Sequence, residues 1–290
     1  MGTMNQSLKS LKTYMENGGE TPQWTPTPGV VVVGAGKGGV GTSTISALLA
    51  LAGARDGRRV LLVDCDEGVG SLHLLMGLTD PGPGLGDLRG GELTPRDLLQ
   101  ALTPTLWFLS GGGGGQEATL STGLGERRAL FRRISSLYGH FDLVVLDGGS
   151  HLASVLAACS AGAERLLALT TDDRIAMAAT YALLKVTYER LPNLPIEILV
   201  NLGQDTSSDG VFQMMSFAGN RFLGIQPGFA GHIPADPELE ALRKEGASLS
   251  DLSSSSHAFM ATELLHGRLA AEQESAQAGN TPVLPFNLSH

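Results

Sequence analysis

A glycine-rich segment, Gly34–Thr44, has the composition of a phosphate-binding loop. It follows the β-branched run Val30–Val33 and leads into a helical pattern over Thr44–Arg55. Glycines allow backbone N–H groups to point at an anion, and the N-terminus of the following helix adds partial positive charge. The segment therefore predicts a phosphate cradle between a buried strand and a helix.

The glycine spacing fits two kinds of nucleotide site. The dinucleotide pattern G-x-G-x-x-G, with an acidic residue after the next strand, is satisfied by Gly34, Gly36, Gly39 and Asp64. The ATP-loop pattern G-x-x-x-x-G is satisfied by Gly36 and Gly41, but Thr42 stands where a lysine is expected. The spacing alone leaves open a nicotinamide-dependent oxidoreductase, an ATP-type site and a glycine turn without a ligand.

Acidic residues follow two of the predicted strands. Asp64 and Asp66 come after Val60–Val63, and Asp147 follows Leu143–Leu146. Taken by itself, each of these acids is typical of a strand-end turn residue or a helix cap.

Six short motifs resemble those of the ParA/MinD family of deviant Walker A ATPases and occur in that family's order. In chain order they are Gly36–Thr44 for K-G-G-x-G-K-[ST], Val60–Asp66 for the second strand with D-x-D, Leu74–Leu78 for L-L-x-G-L, Phe141–Asp147 for the Walker B strand, Leu199–Asn201 for the strand-end asparagine, and His232–Asp236 for I-P-x-D. The resemblance implies a doubly wound, mostly parallel α/β sheet with helices on both faces, and a homodimer that binds ATP or ADP with Mg²⁺.

The resemblance also implies roles for single residues. Lys37 would be the signature lysine, which reaches the nucleotide of the facing subunit, and Asp66 would orient the attacking water. Mg²⁺ would be held by Ser43, by Asp147 through a water, and by Asp64. The nucleotide phosphates would lie against Gly36, Gly38, Gly39, Val40, Gly41, Thr42, Ser43 and Thr44. Adenine would lie against Asn201, Ile233 and Pro234.

Thr42 departs from the family pattern at the position of the Walker lysine. A neutral hydroxyl on a short stem replaces a charge-assisted contact of about 1.5–3 kcal/mol, so nucleotide binding should weaken at least about tenfold. Asp172, Arg174 and Ala179, with the pair Gly148–Gly149, are further departures. Slow or absent ATP hydrolysis is the resulting expectation.

Within the family, the chain is most similar to the FlhG subfamily of flagellar-number regulators. Thr170–Arg174 takes the place of T-T-P-E-P, and Tyr181–Lys185 matches Y-A-L-I-K. That subfamily has an N-terminal D-Q-A-x-x-L-R helix that stimulates the GTPase FlhF, from which Asn5–Ser7 departs. The apolar stripe Met4, Leu8, Leu11 and Met15 in residues 4–16 could dock such a partner or fold back on its own domain.

Alternating strand and helix patterns place these motifs in one main domain. Strands are predicted at Val30–Val33, Val60–Val63, Leu106–Leu109, Leu143–Leu146, Leu166–Leu169 and Ile196–Val200. Helices are predicted at Thr44–Arg55, Glu126–Tyr138, Leu152–Ala161, Ile175–Arg190, Val211–Ala218, 236–245 and 256–271. The predicted organisation is an N-terminal helix over 1–20, a Pro-rich linker over 21–29, the domain over 30–271 and a tail over 272–290.

Composition limits the remaining function classes. The net charge of -9 disfavours strong DNA binding, and the basic residues Arg127, Arg128, Arg132 and Arg133 are expected on a solvated helix face. No apolar run reaches the length of a membrane span, and the polar N-terminus is not a secretory signal. Ala258–Ala271 has only Arg268 as a basic residue, so its apolar side chains should pack in the core and membrane contact should be weak.

The sequence thus favours a FlhG/MinD-like regulatory or positioning protein, which acts as an ATP-dependent dimer switch with slow or lost hydrolysis. A pseudo-ATPase scaffold that binds a partner without turnover is the alternative, and an oxidoreductase is a third. The expected location is cytoplasmic, with a peripheral position at the inner membrane or cell pole as a variant.

Overall fold

A computed structural model describes residues 25–67, 70–112, 123–203 and 205–279, without the side chains of 203, 205–207 and 279. The helix predicted over 1–20 and residues 280–290 lie outside this range. Of the predicted linker, residues 25–29 are described, and the Thr27 N–H donates to the Gly162 carbonyl at 2.9 Å. This bond ties the start of the domain to the turn before a central strand.

The centre of the protein is an eight-stranded sheet with the order β3-β4-β2-β5-β1-β6-β7-β8. Its strands are β1 Val30–Ala35, β2 Val60–Asp64, β3 Leu99–Ala101, β4 Leu106–Leu109, β5 Leu143–Gly149, β6 Arg165–Thr170, β7 Ile196–Gly203 and β8 Gly228–Pro234. Neighbouring strands are parallel except β3, which pairs antiparallel with β4. The carboxyl ends of the parallel strands therefore form one edge, where ligands of open α/β sheets bind.

Helices cover both faces of the sheet. They are α1 Thr42–Arg55, α2 Leu72–Leu75, α3 Leu124–Ile134, α4 Leu152–Ser160, α5 Arg174–Arg190, α6 Asp205–Leu223, α7 Pro237–Glu245 and α8 His257–Gly279. One apolar core lies between the sheet and α3 to α6, and the other between the sheet and α1, α7 and α8. The predicted doubly wound α/β fold is confirmed.

Strand β1 shows why the sequence folds in layers. Val30 and Val32 belong to one core, and Val31 and Val33 belong to the other. Because successive side chains of a strand point to opposite faces, a strand buried on both faces reads as a continuous apolar run. The other central parallel strands have similar runs.

All six predicted strands are present, but the pattern missed β3 and β8. Strand β3 has three residues at the edge of the sheet, and β8 contains glycines at 228 and 231 with a terminal proline. Glycine and proline weaken the strand pattern, and short edge strands have little apolar alternation. Helix α8 continues to Gly279, beyond the boundary predicted at residue 271. Its residues Phe259, Leu265 and Leu269 are in the core, as expected, whereas Met260 and Leu264 are exposed.

Candidate functional site

The glycine loop joins β1 to α1 at the carboxyl edge of the sheet. Gly39 has φ +82° and Gly41, the residue before α1, has φ +96°. L-residues with side chains rarely adopt this left-handed conformation, so the turn depends on glycine at both positions. Thr42 and Ser43 follow as the first residues of α1, and Thr44 is buried. The glycine turn thus lies at a helix N-terminus, where a phosphate site is expected, and phosphate binding by this loop stays a prediction.

The loop is packed against α5 and β7. A Cβ atom on Gly36 would lie 2.0 Å from the carbonyl oxygen of Ala179, so the backbone of α5 approaches the loop directly. A Cβ on Gly41 would lie 2.4 Å from Nδ2 of Asn201. These contacts fix the position of the loop and leave no room for larger residues at 36 and 41.

Asn201 holds the loop from the end of β7. Its side chain is 6% exposed, and Nδ2 donates a hydrogen bond of 2.7 Å to the carbonyl of Val40. One amide hydrogen is used in this bond, which leaves a second donor and the carbonyl oxygen for other contacts. Asn201 pairs with Ile233 in the sheet, and Pro234 ends β8 at the same edge. The three residues predicted to contact adenine are thus brought together.

Asp64 and Asp147 are neighbours at the ends of β2 and β5. They are directly paired in the sheet, and Asp147 also pairs with Val33, the residue before the loop begins. Both residues are 3% exposed. The Gly149 N–H donates to Asp147 Oδ1 at 3.2 Å, so Asp147 is also a turn residue.

Burial disfavours the ionised form of both Asp64 and Asp147. Burial, and then the charge of Asp147, raise the pKa of Asp64 to about 8. Burial raises the pKa of Asp147 to about 6, against the opposing effect of a hydrogen bond from the Ser43 side chain. Two adjacent buried carboxylates require neutralisation, which protons or a divalent cation can supply.

The same donors fit Mg²⁺. Ser43, Asp64 and Asp147 present hydroxyl and carboxylate oxygens, which this cation prefers. Within the described part of the chain, no group of three or more His, Cys, Asp or Glu residues could hold a metal.

Lys37 lies on the exposed side of the loop in an ion pair with Asp173. Its Nζ is 3.0 Å from Asp173 Oδ2, and the two side chains are 42% and 44% exposed. Asp173 also caps α5 by accepting a hydrogen bond from the Ala176 N–H at 2.9 Å. Lys37 lowers the pKa of Asp173. The lysine predicted to reach a facing subunit is therefore held by its own chain.

Asp66 is exposed beside the two buried acids. Its N–H donates to Asp64 Oδ1 at 2.9 Å, and its charge raises the pKa of both Asp64 and Asp147. The site residues predicted from the loop and the strand ends thus occupy one edge of the sheet.

Sequence reasoning missed two acids near this edge, Asp173 and Glu67. Glu67 follows Asp66 and is 2% exposed. It pairs with Arg127, which is 5% exposed, so the expectation that Arg127 lies on a solvated helix face is wrong. A buried ion pair joins residues far apart in sequence, and the only local signal is the position of Glu67 next to the D-x-D motif.

A strand, a glycine loop with left-handed turns, a helix N-terminus and paired strand-end acids define a P-loop nucleotide-binding domain. The family model described as the CobQ/CobB/MinD/ParA nucleotide binding domain matches residues 31–249. The chain belongs to this family. The ATP-type interpretation of the glycine spacing therefore prevails over the dinucleotide one.

Individual relatives give the closer comparison. The antiactivator FleN of Pseudomonas aeruginosa is 28% identical over 220 residues, which cover 75% of this chain and 78% of FleN. The flagellum site-determining protein YlxH of Helicobacter pylori is 26% identical over 180 residues, which cover 62% of this chain and 58% of YlxH. The structure of the septum site-determining protein MinD from Pyrococcus horikoshii, complexed with Mg-ADP, has a TM-score of 0.67 and 20% identity, and the match covers 89% of this chain and all of that one. At 20% identity, the similarity to this MinD structure shows a shared fold and nothing more.

None of the described helices is long and apolar enough to cross a bilayer.

Proposed function

We propose that this protein is a regulator of flagellar or polar organisation that binds ATP or ADP with Mg²⁺ and hydrolyses ATP slowly or not at all. The observation that carries the proposal is Thr42 at the start of α1, in a loop whose backbone geometry is otherwise that of a phosphate site. The similarity to YlxH, which is named as a flagellum site-determining protein, and to the antiactivator FleN supports the biological setting.

Nucleotide binding is supported by the parts of the site that do not depend on Thr42. The backbone of Gly36–Gly41 and the N-terminus of α1 offer N–H donors to phosphate. Ser43, Asp64 and Asp147 offer oxygen ligands to the accompanying Mg²⁺. Bound Mg²⁺ would neutralise the paired acids and bridge them to the phosphates, which makes nucleotide and cation binding cooperative.

Slow hydrolysis is supported by the charge that Thr42 cannot supply. Phosphoryl transfer depends on positioned positive charge around the transferred group. Lys37 is a positively charged residue of the loop, but its Nζ lies 3.0 Å from Asp173 Oδ2 in an exposed ion pair. Lys37 is thus directed to α5, and replacing Thr42 by lysine should restore a charge that the loop lacks.

A second candidate, a pseudo-ATPase scaffold, is favoured by the same ion pair. If Asp173 keeps Lys37 when nucleotide is bound, Lys37 cannot reach a facing subunit, and the ATP-dependent dimer would not form. A protein partner would then be bound without turnover. The stripe in residues 4–16 is the proposed docking element for an FlhF-like GTPase or a polar component, with a cytoplasmic or peripheral location.

Steady-state ATP turnover of the wild type and Thr42→Lys tests the proposal, with Thr42→Ser as the matched control that keeps the hydroxyl. We expect little turnover in the wild type and in Thr42→Ser, and a rise in Thr42→Lys. Rapid wild-type turnover that Thr42→Lys leaves unchanged would refute slow hydrolysis. Light scattering with and without Mg-ATP separates the two candidates, because the scaffold does not form an ATP-dependent dimer, whereas the regulatory switch does.

A further inference from the structure

The loop that leaves β2 carries a buried acid next to an exposed one. The Glu67 side chain is 1% exposed, whereas Asp66 faces solvent. Glu67 Oε1 accepts a hydrogen bond of 3.0 Å from Arg127 Nη1, and Glu67 Oε2 accepts one from Arg89 Nη2. A charge this deeply buried is stable only with such partners. We call Glu67, Arg89 and Arg127 the Glu67 cluster.

The Glu67 cluster connects the loop to helices on one face of the sheet. Arg127 belongs to α3, its side chain is 6% exposed, and its Nη1 also donates to Ser154 Oγ of α4 at 3.1 Å. Arg89 also pairs with Glu126 of α3 at 2.6 Å. Moving Glu67 out of this cluster would leave buried arginine charge without compensation, so the loop resists displacement.

Asp66 is held by its neighbours on both sides. The Asp66 N–H donates to Asp64 Oδ1, and a Cβ atom on Gly111 would lie 2.1 Å from the Asp66 carbonyl oxygen, which shows how closely the backbone of Gly111 packs there. Glu67 fixes the other side through its side chain. The position of the Asp66 carboxylate therefore depends on a residue that does not face the phosphate site.

We propose that Glu67 is a positioning residue: its buried ion pairs hold the loop that carries Asp66 and so keep the Asp66 carboxylate beside Asp64 and Asp147. The assignment rests on the proposed function, since it takes Asp66 as a residue of the phosphate site. These contacts anchor the loop to α3 and α4.

Hydrogen exchange of Glu67→Gln tests this assignment, with Glu126→Gln as the matched control. Both acids pair with Arg89, but Glu126 is 52% exposed and makes its contact at the surface. We expect amide exchange in residues 64–67 to accelerate at least about tenfold in Glu67→Gln, with β5 unchanged, and to stay at the wild-type rate in Glu126→Gln. If Glu67→Gln does not fold, Arg127→Lys, which keeps the charge and loses the fork geometry, is expected to exchange faster than the wild type in residues 64–67, with β5 unchanged.

Unchanged exchange in residues 64–67 would overturn the assignment, and so would equal acceleration throughout the sheet, which indicates a merely structural role. Single-turnover hydrolysis adds a functional measurement: where turnover occurs, Glu67→Gln should lower the rate while the Kd for Mg-ATP changes less than about threefold. A chain that binds no nucleotide would refute the proposed function, but the exchange result would still decide whether Glu67 holds the loop.

Discussion

Replacing Asp64 by asparagine is expected to stabilise the metal-free protein as the pH rises. Asp64 and Asp147 are buried side by side, and the pKa of Asp64 is raised to about 8. In the unfolded chain this carboxyl ionises near its usual pKa of about 4. Between these two values the folded state holds a proton that the unfolded state releases, so unfolding is favoured increasingly as the pH rises.

The magnitude follows from the linkage relation. One extra bound proton costs about 1.4 kcal/mol of folding free energy for each pH unit. From about pH 5 to about pH 8, Asp64 alone can therefore lower the free energy of unfolding by up to about 4 kcal/mol. Asparagine has a similar shape and does not titrate. The difference between Asp64→Asn and the wild type should thus be small near pH 5 and grow to a few kcal/mol, at most about 4, near pH 8.

Urea unfolding with EDTA at several pH values measures this difference. Asp142→Asn is the control, because its exposed carboxyl is paired with Arg59 and has a lowered pKa. That variant should not gain stability with rising pH. Added Mg²⁺ should stabilise the wild type near pH 8 more than Asp64→Asn, since a ligand stabilises the state that binds it. A constant difference between Asp64→Asn and the wild type across the pH range would refute the paired-acid reasoning.

Three further substitutions probe the loop. Gly36→Ala should weaken Mg-ADP binding at least about tenfold in calorimetry, because its Cβ would clash with the backbone of α5, whereas Gly125→Ala, whose Cβ meets no atom within 4 Å, should not. Asn201→Ala should lower the free energy of unfolding by about 1–3 kcal/mol in urea, because it leaves the buried Val40 carbonyl without its donor. Asp173→Asn should change that free energy by less than about 1 kcal/mol, since the pair is exposed and asparagine still caps the helix, but should increase ATP-dependent dimerisation in light scattering. Three results would contradict these expectations. They are wild-type Mg-ADP affinity in Gly36→Ala, a wild-type free energy of unfolding in Asn201→Ala, and weaker ATP-dependent dimerisation in Asp173→Asn than in the wild type.

The central strands and the outline of the site could be predicted because their signals are local. The run Val30–Val33 is apolar throughout because both faces of β1 are covered, and the acids that follow β2 and β5 mark the ends of adjacent strands. Parallel strands bring such ends together without further information. The fold class followed from the strand and helix patterns, and the grouping of Asp64 with Asp147 followed from the family motifs that contain them.

The remaining features depend on tertiary contacts between distant residues. The sequence pattern around Arg127 is that of a charged helix face, yet the side chain is buried because Glu67, on a loop after another strand, supplies the opposite charge. Strand β8 was missed because its glycines weaken the local strand pattern. The strand forms because it pairs with β7, a contact between distant residues. Asp173 was included in the motif Thr170–Arg174 without a role of its own, and its pairing with Lys37 depends on the approach of α5 to the loop.

Calorimetric titration of Mg-ADP and Mg-ATP into the wild type and Thr42→Lys is the most direct test of a phosphate loop that keeps its backbone cradle and lacks its lysine. We expect saturable binding to both proteins, at least about tenfold tighter for Thr42→Lys with Mg-ATP. Wild-type affinity equal to that of Thr42→Lys, or no binding heat with either protein, would contradict the central claim.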